Sequence, residues 1–182
     1  MKLLACPKCH QQLHLENKTL KCENNHCYDI SKRGYINLLL NPDKATNNPG
    51  DSKESLVARK AYLNKGYYDP ILNQVITCID EFKHQDDLSI LDLGCGEGYY
   101  TQGLKKHFEN SDIYGLDISK IAIDMATRYR KDVTWLVGNS KNIPILDHSL
   151  DFICALFTVV NQDELKRALK EDGYIVHVTA NN

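Results

Sequence analysis

An apolar run that passes directly into a glycine-rich turn constrains this chain more than any other feature. Leu88–Leu93 is mostly apolar, and Gly94-Cys95-Gly96-Glu97-Gly98 follows it without a break. A short apolar run of this length is typical of a buried strand. Glycines just after a strand let the backbone approach a ligand closely where a helix begins. The segment therefore predicts a strand–turn–helix unit that binds a nucleotide-like ligand.

Strand and helix patterns alternate along the rest of the chain. Helical spacing predicts helices from Asp51 or Ser52 to Asn64, over 69–82 with Asp69 as N-cap, and near 97–108, 119–130 and 162–170. Short apolar runs predict strands at Leu88–Leu93, Ile113–Leu116, Val133–Val137, Phe152–Phe157 and Tyr174–Val178. This alternation predicts an α/β fold, with a parallel sheet and helices on both of its faces.

The glycine spacing favours S-adenosylmethionine over a nicotinamide dinucleotide. The dinucleotide fingerprint is G-x-G-x-x-G, but Gly98 comes one residue too early and Tyr99 stands in its place. Asp92 would repel a pyrophosphate, whereas it could hold the ammonium of an amino-acid moiety. We therefore expect Asp92, Gly94, Gly96 and Gly98 to form the turn that holds the cofactor.

Polar residues after the next two strands complete the predicted cofactor site. Asp117 lies about twenty residues beyond the glycines, where an acidic residue accepts both ribose hydroxyls. It could instead cap the following helix at Ser119. Asn139 and Ser140 follow the third strand and could meet the adenine edge.

Two close pairs of metal-ligating residues predict a zinc site: Cys6 with Cys9, and Cys22 with His26. Each pair fits one tight turn, and the two turns can converge on a tetrahedral ion. Cys27 competes with His26 for the fourth position, and His10 is a weaker competitor. A closed set of four ligands leaves no position for substrate, so the metal is expected to be structural.

Charge and composition divide the chain. Residues 1–65 carry 11 basic and 6 acidic residues, or +5, whereas residues 66–182 carry 11 and 18, or −7. We expect a zinc-binding module at 1–37, a linker and connecting helix at 38–65, and the catalytic domain at 66–182. The linker contains the turn-forming Asn41-Pro42-Asp43. A basic front half fits a nucleic-acid-binding module, although two solvated surfaces could also differ in charge by chance.

The thiols, and an N-terminus without a signal-peptide pattern, predict a cytoplasmic protein with no membrane span.

Several strings resemble the 23S rRNA (guanine-N1)-methyltransferase family, over essentially all 182 residues. The resemblance rests on these segments: Cys6-Pro7-x-Cys9, Cys22-x3-His26, Gly34-Tyr35-x-Asn37-Leu38-Leu39, Pro49-Gly50-Asp51-Ser52, Gly66-x-Tyr68, Leu91–Tyr100 and Gly115–Lys120. It implies a class I S-adenosylmethionine-dependent methyltransferase with a Rossmann-like sheet and a small zinc-ribbon-like module. It also implies structural zinc at the two ligand pairs, cofactor contacts at Tyr68, Gly96 and Glu97, and a homodimer that grips an rRNA hairpin.

Three departures from the family bear on activity. The family continues well past the fifth strand, so the last two strands and a later cofactor-contacting histidine are expected to be absent here. After the fourth strand the family usually has an aromatic residue, a small residue and a proline, whereas this chain reads Phe157-Thr158-Val159-Val160. Glu171-Asp172-Gly173 stands where Pro-Gly-Gly usually precedes the fifth strand.

Other functions remain open at this stage. One is a catalytically impaired paralogue that binds S-adenosylmethionine or RNA. Another is a small-molecule methyltransferase, which the zinc module and the basic front half disfavour. Four aromatic residues are candidates to stack on the target base: Tyr68, Tyr99, Tyr100 and Phe157. Core packing is the expectation for Phe157. No general base is identified, and Asp147 and His148 are expected to lie in a solvated loop.

Two expectations concern stability. Replacing Cys22 with serine should release the metal and unfold residues 1–37, and leave the catalytic domain folded because its core lies beyond residue 50. The strand Tyr174–Val178 should form an exposed sheet edge that favours self-association, with Val176→Lys as a test. The alternative is that Asp172, His177 and the polar tail keep this edge soluble.

Overall fold

The computed structural model describes residues 1–40 and 51–180, so most of the predicted linker, including Asn41-Pro42-Asp43, lies outside the described residues. The helices are α1 (Lys53–Leu63), α2 (Asp69–Phe82), α3 (Tyr99–His107), α4 (Lys120–Ala126) and α5 (Gln162–Ala168). The strands are β1 (His14–Glu16), β2 (Thr19–Lys21), β3 (Cys27–Asp29), β4 (Ile36–Asn37), β5 (Ser89–Leu93), β6 (Asp112–Asp117), β7 (Thr134–Val137), β8 (Leu150–Leu156) and β9 (Leu169–Val178). The five predicted strands and five predicted helices are all present.

Helix ends follow local capping chemistry. Ser52 is the N-cap of α1, and its side chain accepts a hydrogen bond from the Ser55 N–H. At α2 the N-cap is Tyr68 rather than Asp69, and Pro70 lies in the first turn, where its missing N–H needs no partner. Helix α4 ends at Ala126, four residues before its predicted end.

Six parallel strands form the main sheet, in the order β4-β7-β6-β5-β8-β9. The predicted α/β fold is therefore confirmed. Strand β9 begins at Leu169, five residues earlier than predicted, with an irregularity in its pairing to β8. Glu171-Asp172-Gly173 thus lies within the last strand instead of preceding it.

The amino-terminal module adds a strand to the same sheet. Strands β1, β2 and β3 form a small antiparallel sheet, and β4 pairs in parallel with β7 through Ile36–Leu136 and Asn37–Val137. The predicted boundary at residue 37 therefore falls at a strand that is part of the catalytic sheet.

The module and the catalytic sheet share one hydrophobic core. Leu4, Leu13 and Leu20 of the module are buried in the same cluster as Leu91 and Leu136 of the sheet. Residues of α5 join this cluster, whereas α2, α3 and α4 cover the opposite face of the sheet. The expectation that the catalytic core lies wholly beyond residue 50 is therefore wrong. The reason is that one face of the sheet relies on the module for its burial.

Strand β9 forms an edge of the sheet. Within residues 1–40 and 51–180 it pairs with β8 alone. Ile175 is 43% exposed, whereas Val176 packs against the core on the helix-covered face. No helix within the described part of the chain has the length and apolarity needed to cross a membrane.

Candidate metal centre and cofactor site

The four predicted zinc ligands converge in the structure. Their ligand atoms, Sγ of Cys6, Cys9 and Cys22 and a ring nitrogen of His26, all lie within 4.8 Å of one another. The His26 Nδ1 atom is 3.4 Å from Cys6 Sγ, 3.5 Å from Cys9 Sγ and 3.4 Å from Cys22 Sγ. Zinc lies ~2.3 Å from sulfur and ~2.0 Å from nitrogen in tetrahedral sites, which requires ligand separations of this order. The donor set therefore fits zinc.

The two competing residues lie outside the ligand cluster. Cys27 is exposed, and its thiol donates to the backbone carbonyl of Asn25 at 3.4 Å. His10 is also exposed, and neither residue belongs to the cluster. His26 is therefore the fourth ligand that the geometry supports, because the tight turn from Cys22 brings its ring inward.

Tyr28 is a neighbour of the metal centre that the sequence did not reveal. Its hydroxyl lies 3.3 Å from Cys6 Sγ. Burial, together with the nearby cysteine sulfurs, raises the pKa of this hydroxyl above its ordinary value. A hydroxyl that keeps its proton can donate to a metal-bound thiolate, an arrangement that orients the ligand. The backbone N–H of Gln11 contributes most to lowering the pKa of Cys9 to about 6, which favours the thiolate that zinc requires.

The predicted cofactor residues meet at the carboxyl ends of the parallel strands, where ligands bind in open α/β sheets. Gly94, Asp117, Asn139 and Ser140 line one cavity of about 120 Å³, together with Thr158. These residues follow or end β5, β6, β7 and β8, so the chain brings them together from four separate segments. Tyr68, Asp92, Gly96, Glu97 and Gly98 lie around the same turn but do not line this cavity.

Asp117 holds the glycine turn in place. Its Oδ2 accepts a hydrogen bond from the Gly96 N–H at 2.9 Å, and its Oδ1 accepts one from the Ser119 N–H at 2.8 Å. Ser119 in turn caps α4 through the Ala122 N–H. Burial raises the pKa of Asp117. Ser119 is the N-cap of α4, so Asp117 holds the capping residue through its backbone N–H. The same carboxylate also lines the cavity, where it can accept further hydrogen bonds.

Asp92 lies directly behind the turn and is 1% exposed. Its Oδ2 accepts a hydrogen bond from the Thr101 hydroxyl at 2.5 Å. Burial raises its pKa to about 7, and the charges of Asp117 and Glu97 add to this shift. The buried Asp92 and Glu97 and the partly buried Asp117 together create a negative potential at this turn. Such a site disfavours a pyrophosphate and favours a ligand with positive charge.

Glu97 is 4% exposed, and its carboxylate lies 3.9 Å from the Lys60 ammonium of α1. Burial raises the pKa of Glu97, and Lys60 opposes that shift. The Lys60 Nζ also lies 3.4 Å from the centre of the Tyr129 ring. Lys60 of helix α1 therefore lies beside the glycine turn and partly neutralises the negative charge of Glu97.

Two glycines of the turn have no room for a side chain. Gly94 has φ +74°, and a Cβ there would collide with the Thr158 side chain. Gly98 has φ +89°, and a Cβ there would lie 2.6 Å from the Trp135 ring. A left-handed backbone also favours glycine. The backbone conformation and the lack of space therefore both require glycine at Gly94 and Gly98.

An aromatic pair stands beside the cavity. The rings of Tyr68 and Phe157 meet edge to face, with centroids 6.1 Å apart. The expectation that Phe157 packs in the core is wrong, because it is 38% exposed and has φ +56°. The left-handed conformation directs the chain out of β8 just before Thr158. Non-glycine residues with such φ values cluster at functional sites, but no residue type in this segment signals the conformation.

The other candidate side chains have different surroundings. Tyr99 donates its hydroxyl to Asp69. Tyr100 is buried, and its hydroxyl has no hydrogen-bond partner among the described residues. Asp147 pairs with Arg167 at 2.6 Å, and the His148 ring nitrogen lies 3.1 Å from the Leu169 carbonyl oxygen. Both lie before β8 begins, at the amino end of the sheet, away from the cavity.

Comparisons with known proteins agree with this site. Residues 4–45 match the family model described as "RlmA, N-terminal", a zinc ribbon, and residues 90–173 match the one described as "Methyltransferase domain". A 23S rRNA (guanine(748)-N(1))-methyltransferase of Streptomyces fradiae is 29% identical over 181 residues, which cover 98% of this chain and 64% of that protein. The Bacillus subtilis protein YxjB, named for the same guanine-N1 reaction, is 30% identical over 183 residues, covering 97% of this chain and 64% of that protein.

The fold is also found among solved structures. The plantazolicin methyltransferase BpumL aligns with a TM-score of 0.58 and 20% identity, over 72% of this chain and 55% of the other. These findings confirm the resemblance to the 23S rRNA (guanine-N1)-methyltransferases, and the fold is that of an S-adenosylmethionine-dependent methyltransferase with an amino-terminal zinc ribbon. This chain spans 64% of the length of each of the two relatives above.

Proposed function

We propose that this chain transfers a methyl group from S-adenosylmethionine to N1 of a guanine in a 23S rRNA hairpin. The observation that carries the proposal is the set of three carboxyl groups around the glycine turn: the buried Asp92 and Glu97 and the partly buried Asp117. Such a turn suits a cofactor with an ammonium and a sulfonium better than one with a pyrophosphate. The relatives supply the acceptor, because those proteins are named for rRNA guanine-N1 methylation.

The chain would act mainly by positioning. S-adenosylmethionine, when bound, supplies a methyl group that its sulfonium already activates. Asp117 would accept the ribose hydroxyls, Asn139 and Ser140 would meet the adenine, and Asp92 would hold the amino-acid ammonium. The acceptor must then be aligned at roughly 3–3.5 Å from the methyl group. Tyr68, Gly96 and Glu97 are proposed to complete the cofactor contacts.

The Tyr68–Phe157 pair would hold the guanine. N1 is engaged in pairing within a stem, so the base must come from a loop or be flipped out. Phe157 precedes Thr158, which lines the cofactor cavity, and its ring is accessible. Stacking of the base on this ring would place the guanine next to the cavity. As the bond from N1 to the methyl group forms, the proton of N1 passes to solvent water.

Assembly and location extend the proposal. We propose a homodimer whose zinc ribbons help to form the RNA-binding surface, as the family resemblance implies. A cytoplasmic location fits a ribosomal substrate and a zinc site built on reduced thiols.

A second candidate is a protein that binds S-adenosylmethionine and RNA without transferring the methyl group. One observation favours it. The Thr158 side chain lies against Gly94 and lines the cavity, in the segment where the family usually has a small residue and a proline after the aromatic residue.

One paired experiment separates the two candidates. Calorimetry would measure S-adenosylmethionine binding to the 182-residue chain, and a tritiated-methyl assay would measure transfer to unmodified 23S rRNA hairpins. Mass spectrometry would then identify N1-methylguanine. Transfer to N1 supports the first candidate, and binding without transfer supports the second. Absence of cofactor binding would contradict both.

A further inference from the structure

Two cavities lined by basic residues lie where the amino-terminal module meets the catalytic domain, the first beside residues 30–34 and the second beside Tyr35, α1 and α4. The first, of about 370 Å³, includes Lys18, Lys32, Arg33, Arg130 and Lys131 in its lining. The second, of about 300 Å³, includes Lys53, Lys120 and Arg128. We call these eight residues and the two cavities the basic groove. They account for 8 of the 22 lysines and arginines in a chain whose net charge is −2, so positive charge is concentrated here.

An ion-pair cluster joins the two cavities. Arg33, from the first cavity, places Nε 2.9 Å from Asp124 Oδ1. Arg128, from the second, places a guanidinium nitrogen 3.2 Å from Asp124 Oδ2. Asp124 is the one acidic residue that lines either cavity within the described part of the chain. Since Arg33 and Arg128 share the single carboxylate of Asp124, this cluster of three side chains keeps a net positive charge.

Five lysines of the groove are available to a ligand. Lys18, Lys32, Lys53, Lys120 and Lys131 are exposed, and they form no ion pair within residues 1–40 and 51–180. Single exposed charges interact weakly in water, but a concave surface of one sign focuses the potential and attracts a polyanion.

The position of the groove connects it with the cofactor site. Lys120, Asp124 and Arg128 follow one another at helical spacing along α4 and its end. Helix α4 begins three residues after Asp117, at the cofactor cavity. Seven helical residues span about 10 Å, which is about the rise of three nucleotides along one strand of a duplex. The groove therefore extends from the cofactor side of the sheet to the zinc ribbon.

We propose that the basic groove binds the phosphate backbone of the RNA that carries the target base. The inference rests on the proposed function for the identity of the polyanion and adds the surface that holds it. The groove contacts backbone phosphates, which position the RNA without reading its sequence. Because the zinc ribbon supplies Lys18, Lys32 and Arg33, three of the eight basic residues of this surface belong to the metal-binding module.

A charge-reversal pair tests the groove. We compare Lys32→Glu/Lys131→Glu with Lys106→Glu/Lys166→Glu, whose exposed lysines line neither cavity and form no ion pair within residues 1–40 and 51–180. Both pairs change the charge by the same amount. Binding of a fluorescein-labelled 23S rRNA hairpin is measured by anisotropy from 50 to 300 mM KCl, and S-adenosylmethionine binding by calorimetry.

The groove pair should bind the hairpin at least about tenfold more weakly at 100 mM salt and lower the salt slope by about two, one for each phosphate contact. The control pair should bind like the wild type, and both variants should keep cofactor affinity. Equal RNA affinity of the two pairs, or no RNA binding by the wild type, would overturn the proposal. If the groove pair binds the RNA with wild-type affinity and still transfers the methyl group, the groove proposal is refuted and the proposed function stands. RNA binding through the groove without any methyl transfer would support the groove and refute the proposed function.

Discussion

Asn142 donates a hydrogen bond from its side-chain amide to the backbone carbonyl of Pro7, at 2.9 Å. Pro7 lies in the first metal-binding turn, and Asn142 ends the loop that carries Asn139 and Ser140 into the cofactor cavity. The Ala5 N–H donates to the Pro144 carbonyl at 3.0 Å beside this contact. The metal centre and the cofactor site are therefore connected through one short loop.

Zinc loss should destabilise the whole chain. We expect Cys22→Ser to release the metal and to lower the Tm of the catalytic sheet as well as that of the ribbon. Losing the packing of one buried leucine costs about 2–5 kcal/mol, or roughly 4–20 °C in Tm for a chain of this size. Fluorescence of Trp135, the single tryptophan and a buried residue of β7, reports on the sheet. Cys27→Ser, which alters an exposed thiol outside the cluster, is the control. An unchanged tryptophan transition in a zinc-free Cys22→Ser chain would contradict the shared core.

Asp117→Ala should weaken S-adenosylmethionine binding. The substitution removes an acceptor for the ribose, and it also frees the Gly96 N–H that shapes the turn. Hydrogen bonds to a charged group contribute about 1.5–3 kcal/mol, so a loss of about tenfold or more is expected by calorimetry. Asp112→Ala, at the exposed opposite end of β6, should bind as the wild type does. Similar affinities for the two variants would show that the ribose lies elsewhere.

Cofactor affinity should rise with pH through the titration of Asp92. Its pKa is raised to about 7 by burial and by Asp117 and Glu97, so the carboxyl group is largely protonated at pH 5.5 and ionised at pH 8. Only the ionised form attracts the cofactor ammonium, which gives an increase of up to about tenfold per pH unit below pH 7. Asp92→Asn should bind weakly, with a nearly flat pH profile. A wild-type profile that stays flat between pH 5.5 and 8 would exclude this role.

Phe157→Ala should reduce methyl transfer more than stability. Stacking of a base on an aromatic ring contributes about 1–3 kcal/mol, so RNA-dependent kcat/KM should fall about 5- to 150-fold. Cofactor affinity should remain unchanged, and the melting temperature should change little because the ring is partly exposed. Val159→Ala, at a position 83% exposed two residues later, serves as the control. Equal activity of both variants would remove Phe157 from the acceptor site.

Within residues 1–40 and 51–180 strand β9 pairs with β8 alone, and this edge should lead the 182-residue chain to self-associate. Ile175 is the residue to change, because it is exposed, whereas Val176 packs against the core and Val176→Lys would also disturb folding. Ile175→Lys should lower the association constant measured by sedimentation at several concentrations, since edge charges discourage strand pairing. Val57→Lys, on the exposed side of α1, should leave association unchanged. A wild type that sediments as a monomer at all concentrations would show that Asp172, His177 and the tail already protect the edge.

Local patterns in the sequence predicted the five helices, five of the nine strands in the described residues, the Cys3His cluster and the glycine turn. Alternation of apolar runs with helical spacing is a property of short segments, so it predicted five strands and five helices. The ligand pairs Cys6–Cys9 and Cys22–His26 are likewise local, because each pair fits one turn. The position of Asp117 beside the glycine turn was predictable from its distance to the glycines, a distance that the length of one helix and one strand imposes.

Contacts between distant segments were decided by the tertiary structure alone. Packing of Leu4 and Leu20 against Leu91, and pairing of β4 with β7, join residues that no short pattern relates. The partial exposure of Phe157 depends on a left-handed backbone conformation that its residue type does not predict. The choice of His26 over Cys27, and the joining of Arg33 to Asp124, required side chains to be placed in three dimensions. A sequence states which groups are present, but the free energy of burying and pairing them depends on neighbours that only the folded chain supplies.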